Sequence, residues 1–285
     1  MSAPEADTVV VTFVDPSPLP QSAFLQAVFP ERSFRDLGAP EPGWRRLAPS
    51  TPPGDAIMVS DSALLAPLSS GWRSLAGSLA VNRVLRLQPR VLFFHAATVS
   101  LRGGRGALLL GGKGCGKTTL ALAMAARGHG FLGDEIGAVD SDRWLLLPVR
   151  RAASVRDGPA AAAVASATAA FPAEPFPDGT VRRRVIAGQA FPNAPGRPAP
   201  LGALVFLSGF GARAALRPLT PGPADLRRLT PLPSTLWDDS PPRRAFRLLE
   251  LLGKARCFDL TVGPADQTAD ILERLLETTH GAHGT

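Results

Sequence analysis

The stretch that decides the fold is residues 106–135, which read GALLLGGKGCGKTTLALAMAARGHGFLGDE. It opens with an apolar run typical of a buried strand, and a glycine-rich loop follows that run. The next segment repeats apolar residues at helical spacing, including Leu120 and Met124, and Gly128 marks its end. A further strand is predicted at 130–133. This order of strand, loop, helix and strand predicts an α/β fold.

The loop itself, GGKGCGKT at residues 111–118, matches the phosphate-loop (Walker A) pattern G-x-x-x-x-G-K-(S/T). Small residues let successive backbone N–H groups turn toward a phosphate, and the following helix adds the partial positive charge of its N-terminus. In such a loop the lysine, Lys117, reaches the β- and γ-phosphates, and the Thr118 hydroxyl binds Mg²⁺. We therefore predict ATP and Mg²⁺ as ligands. The predicted nucleotide-binding residues are Gly111, Gly112, Lys113, Gly114, Cys115, Gly116, Lys117, Thr118 and Thr119.

Two adjacent acids, Asp134 and Glu135, come 17 and 18 residues after Lys117, at the end of the next predicted strand. Phosphoryl transfer to a hydroxyl depends mostly on positioning and charge neutralisation. One acid can accept the proton of the attacking hydroxyl while its neighbour binds the metal. A protein that only binds a nucleotide has little need for the second acid. The pair therefore favours an enzyme over a pure nucleotide binder.

Around these motifs the sequence resembles the HPr kinase/phosphorylase family and its shorter relatives from peptide-modifying gene clusters. The resemblance rests on FHAATVSLRGGRGALLLGGKGCGKTTLALAMAARGHGFLGDEIGAVD, and it extends more loosely to the C-terminus. In that family a histidine precedes the phosphate loop, an R-G-h pattern precedes the next strand, and an acidic pair ends that strand. The corresponding residues here are His95, Arg127 to His129, and Asp134 with Glu135.

The resemblance implies a fold like that of HPr kinase and phosphoenolpyruvate carboxykinase. It also implies an ATP-dependent kinase that phosphorylates a serine, or a similar hydroxyl, on a peptide or small protein. Asp134 would be the general base and Glu135 would bind Mg²⁺ together with Thr118. Lys117 would assist catalysis at the γ-phosphate. Two other functions stay open: a non-catalytic ATP-binding switch or scaffold, and a kinase of a small metabolite.

Three further residues are candidates for the site. His95 could orient the acidic pair or the γ-phosphate, and a histidine packed in the core is an equal alternative. Arg151 and Arg156 lie in LLPVRRAASVRDG, where the relatives carry basic residues after the acidic strand. The resemblance makes them candidates for contact with substrate or phosphate. Exposed arginines on a strand edge are the alternative.

The chain is predicted to have two parts. Residues 1–85 form a small N-terminal α+β domain without assigned chemistry, with a strand at VVVTFV and a helix at Trp72–Val84. Residues 86–285 form the catalytic domain. Within it, the Ala-, Pro- and Gly-rich residues 158–200 are predicted to be a mobile or substrate-facing loop region. Later segments predict a strand at 203–210, a helix at 226–232, a helix that begins at 243 and ends near Gly253, a strand at 257–263 and a C-terminal helix from Pro264.

Composition limits the partners. The net charge is +7, but the arginines are scattered and are not interleaved with aromatic residues, so nucleic acid is not expected. The N-terminus lacks a basic segment before its apolar run, and no apolar stretch is long enough for a membrane span. With two cysteines, Cys115 and Cys257, the sequence predicts free thiols. A cytoplasmic protein is expected, and a homo-oligomer is an open alternative.

Overall fold

A computed structural model describes residues 91–101, 104–149, 152–156, 159–175, 179–194, 196–233 and 241–278, and three short strands nearer the N-terminus. The chain divides into two compact units, Met1–Pro89 and Arg90–Thr285. The predicted strand VVVTFV, the predicted helix Trp72–Val84 and the candidate Arg151 lie outside the described residues. The separate roles assigned to the two parts of the chain stay a prediction.

In the first unit, three two-residue strands form an antiparallel sheet of order β1-β2-β3. They are β1 (Arg45–Arg46), β2 (Met58–Val59) and β3 (Leu64–Leu65).

The second unit contains both strands and helices, and its segment β6-α1-β7 has the strand, helix and strand order that the sequence predicts. Its strands are β4 (Val91–Phe94), β5 (Ala96–Ser100), β6 (Gly106–Leu110), β7 (Gly130–Gly133), β8 (Gly137–Asp140), β9 (Leu145–Leu147), β10 (Ala153–Arg156), β11 (Ala173–Pro175), β12 (Val181–Val185), β13 (Ala199–Phe210), β14 (Ala215–Leu219) and β15 (Arg256–Val262). Its α-helices are α1 (Lys117–Ala126), α2 (Ala165–Thr168), α3 (Ala187–Ala190), α4 (Pro223–Leu229), α5 (Pro241–Lys254) and α6 (Ala265–Thr278), with a 3₁₀ helix at Pro159–Val164.

Nine of the described strands form one mixed sheet. Its order is β4-β8-β9-β13-β6-β5-β7, with β15 along β13 and β14 along β15. Strands β6, β13 and β15 are parallel, while β5 runs antiparallel between β6 and β7. The carboxyl ends of β6, β7, β13 and β15 therefore share one edge of the sheet, and β5 begins at that edge.

Apolar side chains cover both faces of this sheet. One face joins α1, α6 and the small sheet β10-β12-β11 in a single core cluster that includes Leu122, Leu272 and Val155. The other face packs with α4 and α5 through residues such as Leu229 and Leu251. Helices therefore lie on both sides of the sheet, which is a mixed α/β architecture. No helix of the described residues is long and apolar enough to cross a bilayer.

The structure corrects one sequence expectation. Residues 158–200, predicted as a loop region, contain the 3₁₀ helix, α2, β11, β12 and α3. Their alanines are good helix formers, and Val164 and Val185 supply apolar contacts with the core, so this stretch buries enough surface to order. Strands β8 and β14 were not predicted from the sequence. Both cysteines are free thiols, as predicted, and burial raises the pKa of Cys257 to about 11.

Candidate functional site

Most predicted site residues lie at the edge where β6 and β7 end. Gly111 follows β6 directly, Asp134 follows β7, and His95 precedes β5. Because β5 pairs with both β6 and β7, these three strand termini are neighbours. The sheet thus brings the glycine loop, the acidic pair and the histidine together.

The glycine loop has a backbone that depends on its glycines. Gly111, Gly114 and Gly116 have φ angles of 155°, 82° and 98°, in the region that favours glycine. A methyl group on Gly111 would lie 2.7 Å from Cys115 Sγ, so space also excludes a side chain there. Cys115 is half-buried against the core, whereas residues 112–114 are exposed. The loop therefore presents its backbone, with few side chains, to solvent.

Helix α1 begins immediately after this loop. No side chain caps its N-terminus at Gly116, and its first turn contains no acidic residue. The N–H groups of this turn, which includes Thr118 and Thr119, have no intrahelical acceptors. They also carry the positive end of the helix dipole. An anion placed on the loop would therefore meet unsatisfied donors and a favourable field.

Lys117 places a positive charge at the centre of the loop. Its side chain is buried, with 6% exposed, and Nζ donates to the carbonyl oxygens of Gly111 and Gly112, both at 2.8 Å. Nζ also lies 3.8 Å from Cys115 Sγ. A buried ammonium is stable only where acceptors surround it, and the loop supplies those acceptors.

Thr118 and Asp134 connect the helix to the acidic strand. The Thr118 hydroxyl lies 3.0 Å from each carboxylate oxygen of Asp134 and donates to them. Asp134 is almost fully buried, with 1% exposed. The pair aligns a hydroxyl and a carboxylate at the base of the glycine loop.

Glu135 and His95 form a more exposed pair beside the loop. His95 Nδ1 lies 3.2 Å from Glu135 Oε2, and the side chains are 36% and 40% exposed. His95 Nε2 lies 3.5 Å from Lys117 Nζ. An ammonium can only donate, so a neutral His95 ring would accept at Nε2 and donate its Nδ1 proton to Glu135. Lys117, His95 and Glu135 therefore lie in one row of polar side chains.

The backbone at the acidic pair is tightly constrained. Glu135 has a φ of 63°, which is uncommon for a residue with a side chain and is often found at functional sites. At Gly133 a methyl group would lie 2.7 Å from the Ile136 carbonyl oxygen and 3.0 Å from that of Val149. The turn after β7 is thus compact, and it fixes where the two carboxylates point.

Arg156 lies on the separate sheet β10-β12-β11. It pairs directly with Arg182, while Ser154 pairs with Arg184, so these side chains share one face. Arg184 Nε donates to Glu174 Oε2 at 3.2 Å. Residues 150–184 contain six arginines against three Asp or Glu residues. Glu174 lies opposite Arg182, so this face, called the basic face below, carries three arginines and one glutamate.

This basic face begins close to the acidic pair in the chain. The Val149 N–H donates to the Leu132 carbonyl oxygen at 2.7 Å, which fixes Val149 beside the end of β7. Strand β10 starts at Ala153, four residues later. Four residues span at most about 14 Å, so the start of β10 is within that distance of Val149.

Arg127 and His129, which match the R-G-h pattern, lie at the opposite end of α1. Arg127 Nη1 lies 2.7 Å from Asp270 Oδ1 and 3.2 Å from Glu273 Oε2, and His129 Nε2 lies 2.6 Å from Glu273 Oε1. Burial lowers the pKa of the Arg127 guanidinium, but the bonds and charges of Asp270 and Glu273 outweigh it and raise the pKa. These side-chain contacts connect α6 to the C-terminal end of α1.

The oxygen ligands near the loop suit Mg²⁺. Among the described residues, no group of three or more His, Cys, Asp or Glu side chains could hold a metal by itself. Mg²⁺ is usually bound through one or two carboxylates together with substrate phosphates and water. Thr118 and Asp134 offer hard oxygen donors side by side, and Glu135 is the next residue. The set fits Mg²⁺ better than a softer metal.

Phe210, at the end of β13, lies beside the glycine loop and is not among the residues predicted from the sequence. The residue is 64% exposed, and a methyl group on Gly116 would lie 3.5 Å from the ring atom Cε1. The only sequence signal is the dipeptide Ser208-Gly209 just before it, which indicates an irregular strand end.

No protein-family model matches the chain, and no curated protein sequence matches it. Among solved structures, the chain is similar to the Hpr(Ser) kinase/phosphatase from Coxiella burnetii, with 11% sequence identity and a TM-score of 0.34. The match covers 66% of this chain and 90% of that one. That bacterial enzyme is a distant structural neighbour, and a likeness at this level does not show membership of its family.

Proposed function

We propose that this protein is an ATP-dependent kinase that transfers the γ-phosphoryl group to a serine, or a similar hydroxyl, of a peptide or small protein. One observation carries the proposal. The Thr118 hydroxyl, in the first turn of α1, donates to the buried Asp134 carboxylate at the base of a glycine loop that encloses Lys117. N–H groups that can donate to a phosphate, the Lys117 ammonium and the Asp134 carboxylate thus lie within one short segment.

The proposed reaction has three parts. The acceptor oxygen forms a bond to the γ-phosphorus, the bond from that phosphorus to the bridging oxygen of ADP breaks, and the hydroxyl proton passes to a carboxylate. Lys117 and the N–H groups of α1 offset the negative charge on the phosphoryl oxygens. Mg²⁺, held by Thr118 and an adjacent carboxylate, would neutralise further phosphate charge.

The two acids can take their roles in either of two ways. The family resemblance makes Asp134 the base and Glu135 the metal ligand. The geometry offers the reverse, because Asp134 shares its oxygens with Thr118, the predicted metal ligand. Glu135 is 40% exposed and is oriented by His95, so an acceptor hydroxyl could reach it. Substitution of each acid separates the two assignments.

The basic face of the small sheet is proposed as a contact for the acceptor. Arg156 shares this face with Arg182, and the segment carries a surplus of positive charge. Arginine binds carboxylates and phosphates through paired N–H groups. A peptide with acidic residues near its serine would match this face better than a neutral small metabolite.

The direct test is phosphoryl transfer. The purified chain is incubated with ATP labelled at the γ-phosphate and an extract of its host, and labelled products are identified by mass. We expect a labelled peptide or protein with phosphoserine, formed by the wild type and absent with Asp134→Asn. A labelled small molecule would indicate a metabolite kinase. Mg-ATP binding without any labelled product would indicate a nucleotide-dependent switch or scaffold.

A further inference from the structure

Strand β13 ends in an irregularity that changes which face Phe210 occupies. Leu207 pairs with Leu260 on β15, but the next pairs are Gly209 with Thr261 and Phe210 with Val262. Ser208 is therefore an extra residue, a β-bulge. Side chains alternate between faces along a regular strand, so one extra residue moves every later side chain to the opposite face.

The bulge moves Phe210 to the face that carries α1. In a regular strand Phe210 would share the face of Phe206, which belongs to the cluster under α4 and α5. After the bulge it shares the face of Leu207 and Val262, which belong to the cluster under α1. Gly209 has a φ of 137°, a conformation that a residue with a side chain rarely adopts. Bulges often re-aim a side chain beside an active site.

The re-aimed ring lies against the start of α1. A methyl group on Gly116 would be 3.5 Å from Phe210 Cε1 and 3.5 Å from Val262 Cγ1. Val262 is 7% exposed, whereas Phe210 is 64% exposed. The structure therefore places an aromatic side chain against the end of the glycine loop and leaves most of that residue open to solvent.

The strand order places this ring and the acidic pair on opposite sides of the glycine loop. On one side of β6 lie β5 and β7, with His95, Asp134 and Glu135 at their ends. On the other side lie β13 and β15, with Phe210 and Val262 at their ends. If the γ-phosphate is held on the side of the acids, the nucleoside lies on the opposite side of the loop, where the ring is.

We propose that Phe210, supported by Val262, is the stacking surface for the base of the bound nucleotide. The proposal rests on the proposed function, because it presumes that the loop binds a nucleoside triphosphate. Stacking needs only the π-face of a base, so it contributes to affinity for any nucleobase. Phe210 is thus a positioning residue that holds the base while the phosphates lie on the loop.

The test compares ATP with inorganic tripolyphosphate, which has the phosphates but no base. Dissociation constants of both, with Mg²⁺, are measured by calorimetry for the wild type, Phe210→Ala and Phe210→Trp. Loss of one aromatic partner weakens base binding by about 1–3 kcal/mol, or roughly 5- to 150-fold. We expect Phe210→Ala to weaken ATP binding about tenfold and to leave tripolyphosphate binding within twofold. Phe210→Trp should retain ATP affinity.

Phe246 provides the matched control. It is 63% exposed on α5, whose buried residues pack on the opposite face of the sheet. Phe246→Ala should change neither ligand. Equal weakening of ATP and tripolyphosphate by Phe210→Ala would show a general loop defect and overturn the stacking proposal, as would unchanged ATP affinity. A wild type that binds neither ligand would overturn the proposed function and, with it, the stacking surface.

Discussion

Both ends of helix α1 carry basic side chains, but these side chains make different contacts. At its C-terminal end, Arg127 and His129 contact Asp270 and Glu273 of α6, so these side chains have partners within the chain. At its N-terminal end, the helix has no side-chain cap, and Lys117 is held by backbone carbonyl oxygens. The C-terminal end joins α1 to α6, and the N-terminal end offers N–H donors to an anion.

The difference shows how a charged residue near a helix terminus can be interpreted. A charge whose partners come from a distant element stabilises the junction between the two elements. A charge held by loop carbonyls, close to uncapped N–H groups, is positioned for a ligand. Substitutions at the N-terminal end should therefore reduce activity and preserve stability. Substitutions at the C-terminal end should do the reverse.

The largest effect is expected at the acidic pair beside the N-terminal end. Loss of a general base lowers turnover by about 10²- to 10⁴-fold. Asp134→Asn should therefore lower phosphoryl transfer to below about 1% of the wild-type rate, and Glu135→Gln should lower it strongly. Substitution of the acid that serves as base should leave Mg-ATP affinity within a few-fold of the wild type. Substitution of the acid that binds the metal should raise the required Mg²⁺ concentration by about tenfold or more.

Both acid variants are assayed with labelled ATP over a range of Mg²⁺ concentrations. Gln and Asn keep the size of each side chain, so circular dichroism and thermal unfolding should match the wild type. If Asp134→Asn still transfers phosphate at the wild-type rate, Asp134 has no part in the reaction. If both variants shift only the Mg²⁺ requirement, neither acid is the base.

Lys117→Ala is expected to have the next largest effect. It removes the buried ammonium from the centre of the loop, and loss of one electrostatic contact to the transition state costs about 3–4 kcal/mol, or 10²- to 10³-fold in turnover. Lys113→Ala is the comparison within the same loop, because Lys113 is exposed, and its loss should be much smaller. Equal turnover in Lys117→Ala and wild type would show that this end of α1 does not serve phosphoryl transfer.

What the sequence could predict depended on how local the interactions are. The glycine loop, α1 and the acidic strand lie in thirty consecutive residues, and each has its own local signal. The partners of Arg127 lie 139 to 146 residues farther along the chain, so no local pattern could identify them. The pattern that matched Arg127 and His129 to a family motif could not show that they bind α6.

Phe210 and β14 show the same limit. The bulge at Ser208 is defined only by pairing with β15, about fifty residues later, and without it the alternation places Phe210 on the wrong face. Strand β14 contains Pro218, which weakens its local signal, and it forms by pairing with β15 at the edge of the sheet. Register and long-range pairing therefore decide the details that local propensity leaves open.

A smaller effect, on stability, is expected at the C-terminal end of α1. Arg127 is 25% exposed and bonds to carboxylates of α6 that are themselves 25% to 86% exposed. Partly exposed charged hydrogen bonds of this kind contribute about 1–2 kcal/mol in total. Arg127→Ala should lower the free energy of unfolding by that amount, measured in urea, and leave turnover unchanged.

The control is Arg227→Ala, an exposed arginine on helix α4, with an expected change within about 0.5 kcal/mol. A loss of turnover without loss of stability in Arg127→Ala would contradict the contrast between the two ends. It would return the R-G-h residues to the candidate site.

The smallest effect tests whether the C-terminal cluster acts as one unit. Glu273 accepts from Arg127 and from His129, so Glu273→Gln removes the charge that both share while keeping one acceptor oxygen. We expect a loss of about 0.5–1 kcal/mol. Combined with Arg127→Ala, the loss should be less than additive by about 0.5 kcal/mol, because neighbours in one network couple. Strict additivity would instead assign the attachment of α6 to Asp270, which forms the shorter bond to Arg127 at 2.7 Å.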